Sequence, residues 1–214
     1  MIFDIGANVG NTVENYFYQY PKATVHAFEP DPETHAALSA RFQQHPRVKP
    51  YCLAVSDCSK TQTFYVNHDK GTSSLLPRPK SGRRYFNKHG VLNEEIKVPT
   101  VTLGEFCQQQ GIDSIDIPKR DIQGGEFKAL KGAAGLLAAK RVGLVYAEVQ
   151  FVPLYEGAPL YHELSLMLDS FGYTLYGIYD LVNARNGQLR FADAIFIPAA
   201  VREFVLDRFP EEPY

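Results

Sequence analysis

No stretch of this sequence is apolar for anything near the roughly 20 residues that a membrane-spanning helix requires. Cysteine is scarce. Cys52, Cys58 and Cys107 make an odd count with no metal-ligand spacing, which argues against a disulfide framework and a zinc site. Reduced thiols in a cytoplasm fit best. An excess of positive charge is also missing: 22 basic residues face 24 acidic ones, for a formal net charge of -2. Without a basic stripe, a nucleic-acid partner is not expected. The one basic concentration, Lys80 to Arg84, reads as a solvated loop. No apolar leader stands ahead of the first strand, so a cytoplasmic protein is expected.

What is present is a globular composition, 45% hydrophobic and 21% charged over 214 residues. That length suits one domain, 1–214. Strand-like and helix-like periods alternate. MIFDI reads as a buried parallel strand running into a glycine turn. Asn11 is placed to cap a helix that Pro21 stops near Tyr20. ATVHAFEP is a second strand. Asp31, Pro32 and Glu33 form a helix start for DPETHAALSARFQQH, and RVKPYCLAV is a third strand. This βαβαβ order predicts right-handed crossovers and helices on both faces of a parallel sheet.

Residues 57–67 read as a hairpin arm. The unpatterned run that follows, with EIKVPTVT resuming as a strand, is a candidate substrate loop at 68–95 that closes over an acceptor. A short helix ends at Gly111. A strand over 115–122, a helix over 124–139, the strand VGLVYAEVQ and a helix over 159–170 come next. Two strands, YTLYGIYDL and LRFADAIFIP, flank the hairpin signal Asn186-Gly187. The expected fold is α/β: a doubly wound, mostly parallel sheet with a C-terminal antiparallel hairpin.

Ligands of such sheets sit beyond the carboxyl ends of the strands, where the strand order reverses. The first turn, Gly6-Ala7-Asn8-Val9-Gly10, lies there, and glycines let backbone approach a ligand closely. A dinucleotide fingerprint would need glycine at positions 8 and 11, where this chain has asparagine, which disfavours a nucleotide-dependent oxidoreductase. Glu29 ends the second strand, where a carboxylate can grip both hydroxyls of a ribose. With Asp4 just ahead of the turn, the ligand suggested has a ribose and a positively charged end, as S-adenosylmethionine does.

DIGANVGN followed by FEPDP resembles the cofactor site of class I methyltransferases. AVSD, GTSSLL, RDIQGGEFKALKGA, AEVQFVPLYEGAPLYHEL and ADAIFIP follow in order, and together they resemble the FkbM family of methyltransferases. The resemblance implies a seven-stranded class I fold and transfer of a methyl group from S-adenosylmethionine to a hydroxyl of a small-molecule or carbohydrate acceptor. It implies that Asp4, Gly6, Ala7, Asn8 and Gly10 line the methionyl end of the cofactor and that Glu29 holds the ribose. Ala54 and Val55 would lie near the adenine, with Asp57 close behind.

By the same resemblance, Asp121 and Glu126 flank a turn facing the transferring methyl, and Glu148 ends the next strand on the same rim. These three are the candidate catalytic carboxylates. Two have a plainer reading, as a helix-start acid for Glu126 and a strand-end charge for Glu148. His68, Ser73 and Ser74 are candidate acceptor residues. The other histidines read as core or surface, and no clustering suggests a metal. The chain departs from the family at Arg120, where an apolar residue is usual, and Pro118 costs its strand a ladder donor. Related chains often carry residues ahead of the first strand, so an open pocket, or one covered by a second chain in an oligomer, is expected. A non-catalytic binder of the same fold is the competing reading.

Overall fold

The computed structural model describes residues 1–79 and 92–208, without the side chains of residues 120, 206 and 207. The basic cluster 80–84 and most of the unpatterned run lie outside the described residues. Seven strands form the main sheet: β1 (Ile2–Ile5), β2 (Val25–Phe28), β3 (Val48–Tyr51), β7 (Ile117–Arg120), β8 (Val145–Gln150), β9 (Tyr173–Asn183) and β10 (Leu189–Pro198). Their order is β3-β2-β1-β7-β8-β10-β9. β10 runs antiparallel to both neighbours, and the other pairs are parallel. A three-stranded sheet, β4 (Ala54–Val55), β6 (Leu92–Val101) and β5 (Thr61–Asn67), forms an arm beside it. The strand order reverses between β1 and β7.

Side-chain alternation along β1 splits the core. Ile2 joins Val13 and Tyr16 of α1 (Asn11–Gln19) and Leu38 and Phe42 of α2 (Pro32–Phe42). Phe3 and Ile5 face the opposite layer. That layer holds α3 (Leu103–Gln110), α4 (Glu126–Lys131), α5 (Ala134–Ala138) and α6 (Tyr161–Ser170), and α7 (Ala199–Arg208) follows β10. The helices therefore cover both faces, as the βαβ pattern requires. Among the described residues, no helix is long and apolar enough to cross a membrane.

Several local readings need correction. Asn11 does not cap α1. Gly10 does, at φ 87 and with no side-chain bond, and the Asn11 side chain instead accepts from Arg41 at 2.8 Å. The third strand is two: β3 stays in the main sheet, while Ala54–Val55 leaves it to pair with β6. The expected helix over 124–139 breaks at Gly132. A Cβ there would stand 2.2 Å from the Ser56 carbonyl oxygen, so only glycine lets the helix pair pass the base of the arm. The last four residues of the expected substrate loop, 92–95, belong to β6. Pro118 sits in a central strand, but pairing to β8 begins only after it, at Lys119, so no ladder bond to that side is lost. The helix start at Asp31 and the αL stop at Gly111 (φ 63) are as the sequence predicts.

Candidate cofactor and methyl-transfer site

At the reversal point the β1–α1 turn meets the turn after β7. Gly6 has φ 85, and a Cβ on it would lie 2.1 Å from the Asp121 carbonyl oxygen. Gly10 has φ 87, and its Cβ would strike Phe42 at 2.3 Å and Leu38 at 2.8 Å. Both glycines thus allow protein to pass close to protein: Gly6 joins the two strand ends, and Gly10 seats α2 against the turn. The N–H groups of Gly6 and Ala7 both donate to the Phe28 carbonyl at 3.0 Å, which folds the turn over the end of β2.

A cavity opens there, beyond the carboxyl ends of β1, β2 and β7. Gly6, Asn8, Glu29, Ala54, Val55 and Asp121 line it, all of them residues singled out in the sequence, and Ser73 joins them. Asp4, Ala7, Gly10, Asp57, His68, Ser74, Glu126 and Glu148 are not among its lining. Asp57 is exposed and accepts from Ser56 and Cys58. His68 is exposed. Ser74 is buried, and its hydroxyl donates to the Gln123 carbonyl at 2.8 Å. Sequence reasoning missed Phe28, Leu53, Phe64, Lys70, Gly71 and Leu75, which also line the cavity. Phe64, Lys70, Gly71 and Leu75 come from the arm; Gly71 and Leu75 fall within GTSSLL, of which only Ser73 and Ser74 were singled out.

Glu29 is 7% exposed. Its Oε2 accepts from the Asn8 N–H at 3.0 Å and its Oε1 from the Asp31 N–H at 2.9 Å. Each oxygen keeps a second lone pair, so the carboxylate can still take two hydroxyls. Burial pushes its pKa up to about 7, against the pull of those two N–H groups. Asp4 is 1% exposed, and neither oxygen has a hydrogen-bond partner. Burial first, with Asp121 adding and Lys119 opposing, raises it to about 6.

The three carboxylates expected near the methyl differ in their surroundings. The Asp121 side chain is 43% exposed. Its Oδ1 accepts from Gln123 Nε2 at 2.8 Å, and Lys119 Nζ lies 3.8 Å from Oδ2. Gln123 adopts φ 55, which turns its side chain back onto Asp121, and its Oε1 stands 2.7 Å from the Tyr155 hydroxyl. Glu126 is buried at the first position of α4, where its Oε1 accepts from the Ile122 N–H at 3.1 Å. Glu148 is half-buried. Its pKa is pushed well above the carboxylate range by burial, then by Asp121 and Glu126. Among the described residues, no group of three or more His, Cys, Asp or Glu side chains stands ready for a metal. The three cysteines are free, Cys107 buried and the other two half-buried. His26 lies in the core, stacked on Tyr51, and burial lowers its pKa to about 4.

A doubly wound sheet with this strand order, a glycine turn at the reversal point and an acid at the end of the second strand define an S-adenosylmethionine-dependent methyltransferase of the class I fold. The residues fit that cofactor: Glu29 can receive a vicinal diol, and the cavity walls beside it are apolar. The chain belongs to the FkbM family, since the family model described as methyltransferase FkbM domain matches residues 4–175.

The chain is 28% identical over 163 residues to the 2-O-methyltransferase NoeI of Sinorhizobium fredii, covering 73% of this chain and 66% of that protein. It is 28% identical over 200 residues to the 31-O-demethyl-FK506 methyltransferase FkbM of Streptomyces tacrolimicus, covering 84% and 75%. The chain thus spans just under two thirds of the first and three quarters of the second. Among solved structures, fibrillarin of Aeropyrum pernix, bound to S-adenosyl-L-methionine, matches with a TM-score of 0.47 and 12% identity, over 92% of this chain and 65% of that one.

Proposed function

We propose that residues 1–214 act as one O-methyltransferase domain that methylates a hydroxyl of a sugar, glycolipid or secondary metabolite in the cytoplasm. The observation that carries this reading is Asp121, a partly solvated carboxylate in the wall of the cofactor cavity, opposite the β1–α1 turn. The two named relatives methylate oxygen by their own descriptions, which supports the choice of a hydroxyl. S-adenosylmethionine, when bound, supplies an electrophilic methyl on a sulfonium.

This chain's residues then have three tasks. Glu29 holds the ribose. Asp4 places negative charge beneath the turn, where a cationic end is favoured. Asp121 orients the acceptor hydroxyl and takes its proton late in transfer, while the walls align the reacting atoms and exclude water. Glu148 stands outside the cavity lining, with its pKa raised first by burial, and is the weaker candidate base. Glu126 spends its carboxylate on its own turn. Ser73 stands in the wall of the cofactor cavity, while Ser74 gives its hydroxyl to the Gln123 carbonyl.

The test is release of S-adenosylhomocysteine from labelled S-adenosylmethionine over a panel of methyl glycosides, a glycolipid and a hydroxylated macrolide. Acceptor-dependent release with label on oxygen is expected. Tight cofactor binding with no transfer to any of them would favour a non-catalytic binder.

Two expectations concern Glu29. Glu29→Ala should weaken S-adenosylhomocysteine by roughly 1.5–3 kcal/mol, as loss of a hydrogen bond to a charged group does. Unchanged affinity by calorimetry would remove Glu29 from the site. The second is a pH effect. Between pH 4.5 and 7 the folded chain holds a proton on Glu29 that the unfolded chain has released. The unfolded state binds fewer protons there, so this group's contribution to stability is present at low pH and lost as pH rises through 7. Glu29→Gln should therefore flatten the fall in unfolding free energy across that window, read by urea titration at several pH values. A slope identical to wild type would show that Glu29 ionises normally.

A further inference from the structure

The short 3₁₀ turn of the arm, Lys70–Thr72, supplies Lys70 and Gly71 to the lining of the cofactor cavity and is fastened to segments on both sides of it. On the β2 side, Lys70 Nζ stands 3.0 Å from Asp31 Oδ2 and 2.6 Å from Glu33 Oε2 at the start of α2. On the β7 side, the Tyr155 hydroxyl lies 2.9 Å from the Thr72 carbonyl oxygen, and Ser74 is bonded to the Gln123 carbonyl. Between these anchors, a Cβ built on Gly71 would come within 3.6 Å of Asn8 Nδ2, so the turn touches the β1–α1 turn itself. Phe64 and Leu75 stand in the cavity wall next to Ala54.

We infer that this arm is part of the cofactor site: Phe64 and Leu75 form one wall of the cavity, and the Lys70 ion pairs latch the arm over bound S-adenosylmethionine. The inference rests on the cofactor reading above. The latch is tied to the ribose-holding acid through one residue. Asp31 accepts from Lys70 on its side chain and donates its own N–H to Glu29. Asp31 is well placed to carry charge for this. Burial works against its ionisation, yet bonds from Lys70, the Glu33 N–H and Thr34 together hold its carboxyl below the usual range. The Lys70–Asp31 pair is only partly solvated, so it is screened less than a fully exposed one. Cofactor entry or exit requires this contact to part, which places Lys70 on the dissociation step.

The probe is S-adenosylhomocysteine, followed by calorimetry and stopped-flow fluorescence. Lys70→Met should release it about tenfold faster, as expected for loss of a charge-assisted bond, with melting temperature near wild type. Leu75→Ala should weaken binding several-fold through lost apolar contact. Lys49→Met, which removes a lysine on β3 outside the cavity lining, should change neither. In the unaltered chain, hydrogen exchange over residues 61–76 should slow when S-adenosylhomocysteine binds. Exchange that does not respond, or binding indifferent to both Lys70→Met and Leu75→Ala, would overturn the clasp while leaving the cofactor assignment standing. Failure of the unaltered chain to bind S-adenosylhomocysteine at all would overturn both.

Discussion

Asp121→Asn is expected to lower methyl transfer by about 10²–10⁴-fold, the range that a positioned general base supplies, with the melting temperature nearly unchanged. Asparagine keeps the shape, and its amide oxygen can still accept from Gln123 Nε2. What it loses is the charge that takes the acceptor's proton. The side chain is partly solvated and belongs to no apolar cluster, so folding has little stake in it. The measurement is kcat on an acceptor from the panel, alongside calorimetry with S-adenosylhomocysteine. If affinity collapses in place of turnover, Asp121 holds the cofactor's ammonium and the base lies elsewhere, with Glu148 next to be tested. If neither changes, the carboxylate only ties the β7 turn to Gln123.

Gly6→Ala should cost about 3–5 kcal/mol of unfolding free energy, at the severe end for single substitutions. Two effects add. Alanine in the left-handed region costs roughly 1–2 kcal/mol. The larger part is steric, because the new methyl would stand 2.1 Å from the Asp121 carbonyl oxygen, and that atom belongs to backbone that cannot swing aside. Gly111→Ala separates the two. Gly111 is also left-handed, at φ 63, but a Cβ there meets nothing within 4 Å. Its cost should be only the conformational part, about 1 kcal/mol. Urea denaturation of both variants gives the difference. Equal destabilisation would mean that the β7 turn yields to the methyl, and cofactor binding should then survive in Gly6→Ala.

Much of the frame was legible without coordinates. Alternating periods mark the elements, and the βαβαβ opening with its handedness rule places helices on both faces. Asp31 with Pro32 marks the start of α2, and the Asn186-Gly187 dipeptide marks the join between β9 and β10. These features are local: a period, a cap or a positive φ needs only a few neighbouring residues to specify it. Glu29 was legible for a related reason, since its place at a strand end follows from the fold class.

What the sequence could not show is non-local. The nine-residue segment 47–55 reads as one strand, and only the pairing of Ala54–Val55 with β6 takes its end out of the main sheet. Gly6 and Gly10 read as glycines for a ligand, but the atoms their missing side chains make room for are Asp121 and Phe42, more than thirty residues away in each case. Lys70 sits in an unpatterned segment and gains its partners, Asp31 and Glu33, only when the arm folds back across the cavity. The chain alone determined the elements, their order and the chemistry at strand ends, because those depend on neighbours in sequence. The tertiary structure decided which surfaces close the cavity, because a contact between distant segments exists only once the sheet has set their positions.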